Sequence, residues 1–86
     1  MIKLEIVTPE RKVFDETVDW VTVPTSTGEV GILPNHSPLI SSLKSGVLVA
    51  SSKGASEKLV VSGGFVEVSA NKVSVLTDIA EKADEI

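Results

Sequence analysis

An all-β fold, a flattened β-sandwich of two packed sheets, is predicted by three features of this sequence. Short apolar runs alternate with polar residues at a period of two, turn-forming clusters separate them at frequent intervals, and the apolar set is dominated by Val, Leu and Ile. β-Branched side chains lose rotamer freedom in a helix and pack well on a pleated surface. Phe14, Trp20 and Phe65 are the only aromatic residues, so the core must be aliphatic. A chain of 86 residues suits one domain. Folding at this size removes roughly 60 to 70% of the unfolded surface from water.

Ile2, Leu4 and Ile6 alternate with Lys3 and Glu5, which reads as a strand with one buried face. Thr8-Pro9-Glu10 breaks it and Lys12-Val13-Phe14 resumes it, giving a first hairpin. Val18–Val23 follows, with Val18, Trp20 and Thr22 on one face and Asp19, Val21 and Val23 on the other. Pro24 is expected to end that strand by removing a ladder donor, and Thr25-Ser26-Thr27-Gly28 supplies a turn. Glu29–Leu33, Leu39–Leu43, Val47–Ser51 and Leu59–Val61 are further short strands, bounded by Pro34-Asn35, Lys44-Ser45-Gly46 and Lys53-Gly54-Ala55-Ser56.

The last hairpin is the most fully specified. A two-residue loop at Ala70-Asn71, with Asn71 in a left-handed conformation, pairs Ser69 with Lys72, Val68 with Val73 and Val66 with Val75. A slip of one residue would turn that aliphatic face to water. The count is about nine strands. Beyond them Asp78 can cap a helix with Glu81 three residues on, and Ile79, Ala83 and Ile86 share a face, so a short helical C-terminal tail is expected.

Several function classes are excluded or disfavoured. Without cysteine there is neither a disulfide framework nor a thiolate metal site. The N-terminus lacks the apolar stretch of a signal peptide, and nothing approaches the roughly 20 apolar residues of a membrane span, which points to a soluble cytoplasmic protein. The formal net charge is −4, but Asp78, Glu81, Asp84 and Glu85 against Lys82 place −3 of it after position 77. The nearly neutral body and the scarcity of rings argue against nucleic-acid binding.

Chemistry is equally scarce. His36 is the one imidazole in the chain, yet His36 and Ser37 are adjacent, whereas a hydrolase needs its serine, imidazole and carboxylate to converge from separate elements. A lone histidine is a weak metal site. Gly63-Gly64 and the Gly28/Gly31 pair fit no phosphate-loop spacing, and Gly63-Gly64 reads better as a bulge or a close approach of two backbones. Asn35-His36-Ser37 matches a glycosylation triplet by chance. Asp15, Glu16 and Asp19 are read as a solvated strand edge, with Asp15 and Asp19 on the same side, rather than as an acid/base pair. No catalytic residue, metal or cofactor is assigned. One alternative of a different class is a lipoyl- or biotin-carrier domain with Lys53 as the modified hairpin-tip lysine. Against it, Ser52 and Gly54 are not the usual flanks of such a lysine, and the two halves show no quasi-repeat.

Three segments carry a family resemblance: Gly28-Glu29-Val30-Gly31-Ile32-Leu33-Pro34-Asn35-His36-Ser37-Pro38-Leu39, Ser62-Gly63-Gly64-Phe65-Val66-Glu67-Val68, and Val75-Leu76-Thr77-Asp78-Ile79-Ala80-Glu81. With Leu4-Glu5-Ile6-Val7-Thr8-Pro9 and Lys44-Ser45-Gly46-Val47 they resemble the N-terminal β-sandwich domain of the epsilon subunit of bacterial-type rotary ATP synthases. The likeness spans the whole chain, with the motifs in order. That family continues into a two-helix C-terminal domain, so the resemblance divides the chain into a sandwich domain, 1–80, and a short acidic tail, 81–86, where the absent helical domain would start.

The resemblance implies a non-catalytic central-stalk subunit that binds the gamma subunit and the membrane c-subunit ring, peripheral on the cytoplasmic face of the cell membrane. It places Glu29, Gly31 and His36 against the ring, on one loop, with Glu29 facing a basic residue. It places Thr8, Pro9, Val13, Ser37, Leu39 and Ile40 against gamma. A folded chain of this mass exposes on the order of 5,000 Å², enough for two interfaces of roughly 800 Å² each.

Overall fold

The computed structural model describes residues 1–82, and among them every regular element is a strand. The opening alternation becomes β1 (Ile2–Val7), joined to β2 (Lys12–Val18) by a turn in which the Thr8 N–H donates to the Arg11 carbonyl at 2.9 Å. Next come β3 (Trp20–Thr25), β4 (Gly28–Ile32), β5 (Leu39–Ser42), β6 (Gly46–Ser52) and β7 (Ala55–Ser62). The described chain closes with β8 (Phe65–Ser69), β9 (Lys72–Leu76) and β10 (Ile79–Lys82).

Two five-stranded sheets result. One has the order β2-β1-β9-β8-β5, the other β10-β7-β6-β3-β4. Neighbours run antiparallel except β1 and β9, which are parallel. The inner faces meet in an aliphatic layer. Ile2, Leu4, Ile6, Val66, Val68, Val73 and Val75 from the first sheet face Val21, Val23, Ile32, Leu48, Leu59 and Val61 from the second. Alternation at a period of two puts these side chains in one layer between sheets roughly 10 Å apart.

The final hairpin has the expected register, Ser69 to Lys72, Val68 to Val73 and Val66 to Val75. Its turn works differently, because Asn71 is not among the residues with positive φ. Asn71 is held instead by long-range bonds: its carbonyl accepts the Lys3 N–H at 2.9 Å and its side-chain oxygen accepts the Asn35 N–H at 3.3 Å. Among the described residues, those outside glycine in the left-handed region are Asn35 (φ 64°) and Lys53 (φ 53°).

Three further expectations are corrected. The run Val18–Val23 is two strands in different sheets, with a corner at Asp19 whose N–H donates to the Ser51 carbonyl at 2.7 Å. Val18 therefore faces the core from β2, while Val21, Val23 and Thr25 do so from β3 and Trp20 points outward. Pro24 does not end β3; it pairs with Glu29. Its carbonyl is turned away from β4 to accept the Lys44 N–H at 3.0 Å, so its missing donor lies on the side where the β6 ladder has already stopped at Thr22. Finally, Ile79–Lys82 is strand β10 on the edge of β7, not a helical start. The open edge of β7 and a core slot filled by Ala80, opposite Val61, override the local capping signal. Ala83 and Ile86, the rest of the expected helical face, lie outside the described residues.

Candidate functional site

Each sheet leaves one face to solvent, and those faces and their edges carry the candidate residues. Glu29 and Gly31 lie on β4, an edge strand, and both are exposed because Val30 and Ile32 take the inward positions. His36 is not on the same loop; it follows β4 at its other end. There the Asn35 N–H donates to the Ala70 carbonyl at 2.8 Å, tying the segment to the β8–β9 turn. The His36 Nδ1 donates to the Ser37 carbonyl at 2.7 Å, which fixes the imidazole on the backbone beside it.

The other candidates form two groups at opposite edges of the first sheet. Thr8 and Pro9 are in the β1–β2 turn, and Val13, at the start of β2, is half-buried against the core. Ser37 is exposed before β5, Leu39 packs on the core, and Ile40 is 70% exposed. Between β2 and β5 stand β1, β9 and β8, so the groups are roughly 19 Å apart at about 4.8 Å per strand.

The outer face of that sheet joins them. One half is an ion-pair network: Lys3 to Asp15 at 2.8 Å, Lys12 to Glu5 at 2.9 Å and to Asp15 at 3.2 Å, and Lys72 to Glu5 at 3.0 Å. The Glu5 carboxyl is held below its ordinary pKa by hydrogen bonds from Lys12 and Lys72, and that of Asp15 by Lys3 and Lys12; the Lys12 ammonium is raised by the same partners, Glu5 and then Asp15. The other half is apolar, with Phe65 46% and Leu76 42% exposed. Sequence reasoning passed over this pair, although the register that buries Val66 and Val68 necessarily turns Phe65 outward. On the second sheet, Trp20, Val47 and Ile79 are exposed on its outer face.

Outside the ion-pair network, the polar residues of these faces are spread over different described elements. No three His, Asp or Glu side chains among the described residues are grouped as a metal site requires. Asp15 and Glu16 are exposed, but Asp19 has left their strand and accepts the Lys53 N–H at 2.8 Å. A cleft of about 660 Å³ between β2 and β7 has an apolar floor of Phe14, Val18 and Ala50, with Glu16, Glu57 and Lys58 in its walls. Gly63 and Gly64 have φ of 74° and 94°, and Gly64 packs against the backbone of Leu76, the close approach its doublet predicts.

Comparison with known proteins agrees with the resemblance. The β-sandwich domain model of the ATP synthase delta/epsilon chain matches residues 1–83. The chain is 54% identical over 84 residues to the ATP synthase epsilon chain of Pelotomaculum thermopropionicum, covering 98% of this chain and 63% of that one. It is 55% identical over 85 residues to that of Carboxydothermus hydrogenoformans, covering 99% and 63%. It thus spans under two thirds of these relatives' length. Among solved structures, a chain in the Euglena gracilis mitochondrial ATP synthase, OSCP/F1/c-ring in rotational state 1, superposes with a TM-score of 0.92 at 30% identity, covering 99% of this chain and 55% of that one. A chain of the Tetrahymena thermophila central stalk and c-ring shares the fold, with a TM-score of 0.80 at 21% identity, covering 98% and 68%. Lys53 does sit at an exposed hairpin tip, but a match along essentially the whole length displaces the carrier reading. From the opening strand to β10, this chain belongs to the ATP synthase delta/epsilon β-sandwich family.

Proposed function

We propose that this domain is a non-catalytic rotor subunit of a proton-translocating ATP synthase. It binds the gamma subunit and the membrane c-subunit ring at the cytoplasmic face of the cell membrane, so that ion-driven rotation reaches the sites of ATP synthesis. The observation that carries this reading is the family match over residues 1–83, joined to the near-superposition on a chain from an F1/c-ring assembly. Two exposed sheet faces without an assembled reactive group support it, since a coupling element needs surface and not chemistry. The area is sufficient: 4836 Å² is accessible, and two standard interfaces use roughly 800 Å² each.

In this reading Glu29, Gly31 and His36 face the ring along the β4 edge, and Thr8, Pro9, Val13, Ser37, Leu39 and Ile40 face gamma. The test is co-purification of the tagged chain with gamma and the c-ring from the same genome. Retention of gamma is expected; its absence overturns the proposal. Intact-mass measurement of the protein from its own host should find Lys53 unmodified, and a lipoyl or biotinyl adduct there would restore the carrier reading.

A further inference from the structure

We infer that Asn71 is a positioning residue for the ring-facing segment: its side-chain oxygen, beside the Ala70 carbonyl, captures the Asn35 N–H and so fixes the crossover that carries His36. This inference rests on the rotor-subunit reading, which puts His36 against the ring, and gives a residue of the β8–β9 turn a part in that contact.

The crossover needs such a support. Residues 33–38 lead from β4, an edge of the second sheet, to β5, an edge of the first. Each side chain between Ile32 and Leu39 is exposed or half-buried, so burial does little to hold the segment, and Pro34 and Pro38 have no N–H to give. Among the described residues, the hydrogen bonds that join this segment to another element are both made by the Asn35 N–H, to the Ala70 carbonyl at 2.8 Å and to the Asn71 Oδ1 at 3.3 Å. Asn35 sits in the left-handed region, with φ of 64°, a conformation that asparagine tolerates, and its N–H is aimed at the β8–β9 turn.

Turn chemistry does not account for Asn71. Its φ is not positive, so it does not supply the left-handed conformation for which asparagine is preferred in hairpin loops. Its backbone carbonyl holds the Lys3 N–H at 2.9 Å, a bond that any residue could make, which leaves the side-chain oxygen as the group specific to this residue. With its carbonyl fixed to β1, Asn71 holds that oxygen on the first sheet, and the crossover arriving from the second sheet is caught on it. An N–H shared between two acceptors is a three-centre bond, and the second acceptor narrows the positions the donor can take. Asn35 and Asn71 are both exposed, so water competes for the bond and its main effect is on placement, not on stability. The Asn71 amide nitrogen donates no hydrogen bond among the described residues, so a carboxylate can stand in for the amide.

The experiment compares the wild-type chain with Asn71→Ala and Asn71→Asp by amide hydrogen exchange, melting temperature, and affinity for purified c-ring and for gamma from the same genome. Asn71→Ala is expected to quicken exchange at Asn35 by about two- to tenfold, the worth of one modest hydrogen bond, with the Lys3 amide unaltered and melting within a few degrees of wild type. Ring affinity should fall by a similar factor, since only molecules with the crossover in place bind, while gamma, which also meets the β1–β2 turn in this reading, stays within about twofold of wild type. Asn71→Asp keeps an acceptor oxygen and should recover both the slow exchange and the ring affinity. Exchange at Asn35 that is unchanged in Asn71→Ala, or that quickens together with Lys3 as a defect of the turn would cause, overturns the inference. So does faster exchange with undiminished ring affinity, or an Asn71→Asp variant that behaves like Asn71→Ala. All of these leave the rotor reading standing, whereas a wild-type chain that binds no ring fails that reading and the positioning role with it.

Discussion

Gly64 lies so close to the carbonyl of Leu76 that a Cβ at position 64 would occupy the space of that oxygen. Its φ of 94° is also one that side chains with a Cβ rarely adopt. Gly64→Ala is therefore expected to cost about 2–4 kcal/mol, the sum of backbone strain and a contact with no room to relax. At Gly63 the obstacle is the Asp78 carboxylate, 2.7 Å from where a methyl group would stand, and a side chain can swing away. Gly63→Ala should therefore be the milder of the two, and urea midpoints of both variants give the comparison.

The network around Lys12 predicts a pH dependence. Glu5 and Asp15 have carboxyl pKa values lowered in the folded state, Glu5 by Lys12 first and Asp15 by Lys3 first. Their stabilisation is complete above the unfolded-state values near 4 and is lost as pH falls through the lowered folded values. Lys12, raised by Glu5 and Asp15, contributes fully below its unfolded value and loses that contribution as pH rises through a folded value above 10.5. Stability should hold level around neutrality and decline toward pH 3. Lys12→Met should flatten the acid limb, and an unaltered acid limb in that variant would remove the network as its cause.

Thr77, 4% exposed, ties β10 to the end of β7 within the second sheet. Its hydroxyl lies 3.0 Å from the carbonyl oxygens of both Ser62 and Ile79 and accepts the Ser62 N–H at 3.3 Å. Thr77→Val keeps the shape and strands those groups, at a cost of about 1–3 kcal/mol. Hydrogen exchange should quicken first in Ile79–Lys82 and along the β7 edge, with β8 and β9 unaffected.

At the proposed ring-facing edge, Glu29 is exposed, and an exposed ion pair is worth about 0.2–1 kcal/mol. Glu29→Lys should weaken ring association by no more than about fivefold and make it less sensitive to salt. Binding that is identical to wild type across a salt series would remove Glu29 from the contact.

Much of this fold was legible because alternation and turn chemistry agree. Val66, Val68, Val73 and Val75 can be buried together in one register only, and the hairpin adopts it. Where local signals failed, a non-local term had prevailed. Asp78 and Glu81 spell a helix cap, but the free edge of β7 offered ladder bonds and Ala80 a place in the core. Pro24 reads as a strand end until the chain geometry shows that its absent donor had no acceptor to meet. The candidate surface was half legible: Ile40 came by resemblance, whereas the neighbours that make it part of a patch, Phe65 and Leu76, are brought beside it only by the strand order β9-β8-β5.

That β1 pairs in parallel with β9 also bears on how the domain is made. During synthesis β1 emerges long before its parallel partner, yet it occupies an inner position of its sheet and keeps one flank open until residues 72–76 arrive to fill it. The nascent sandwich must hold an unfinished apolar edge over that whole interval, and its cooperative closing step waits for the β8–β9 hairpin. Topology of this kind folds slowly relative to helical domains of equal length.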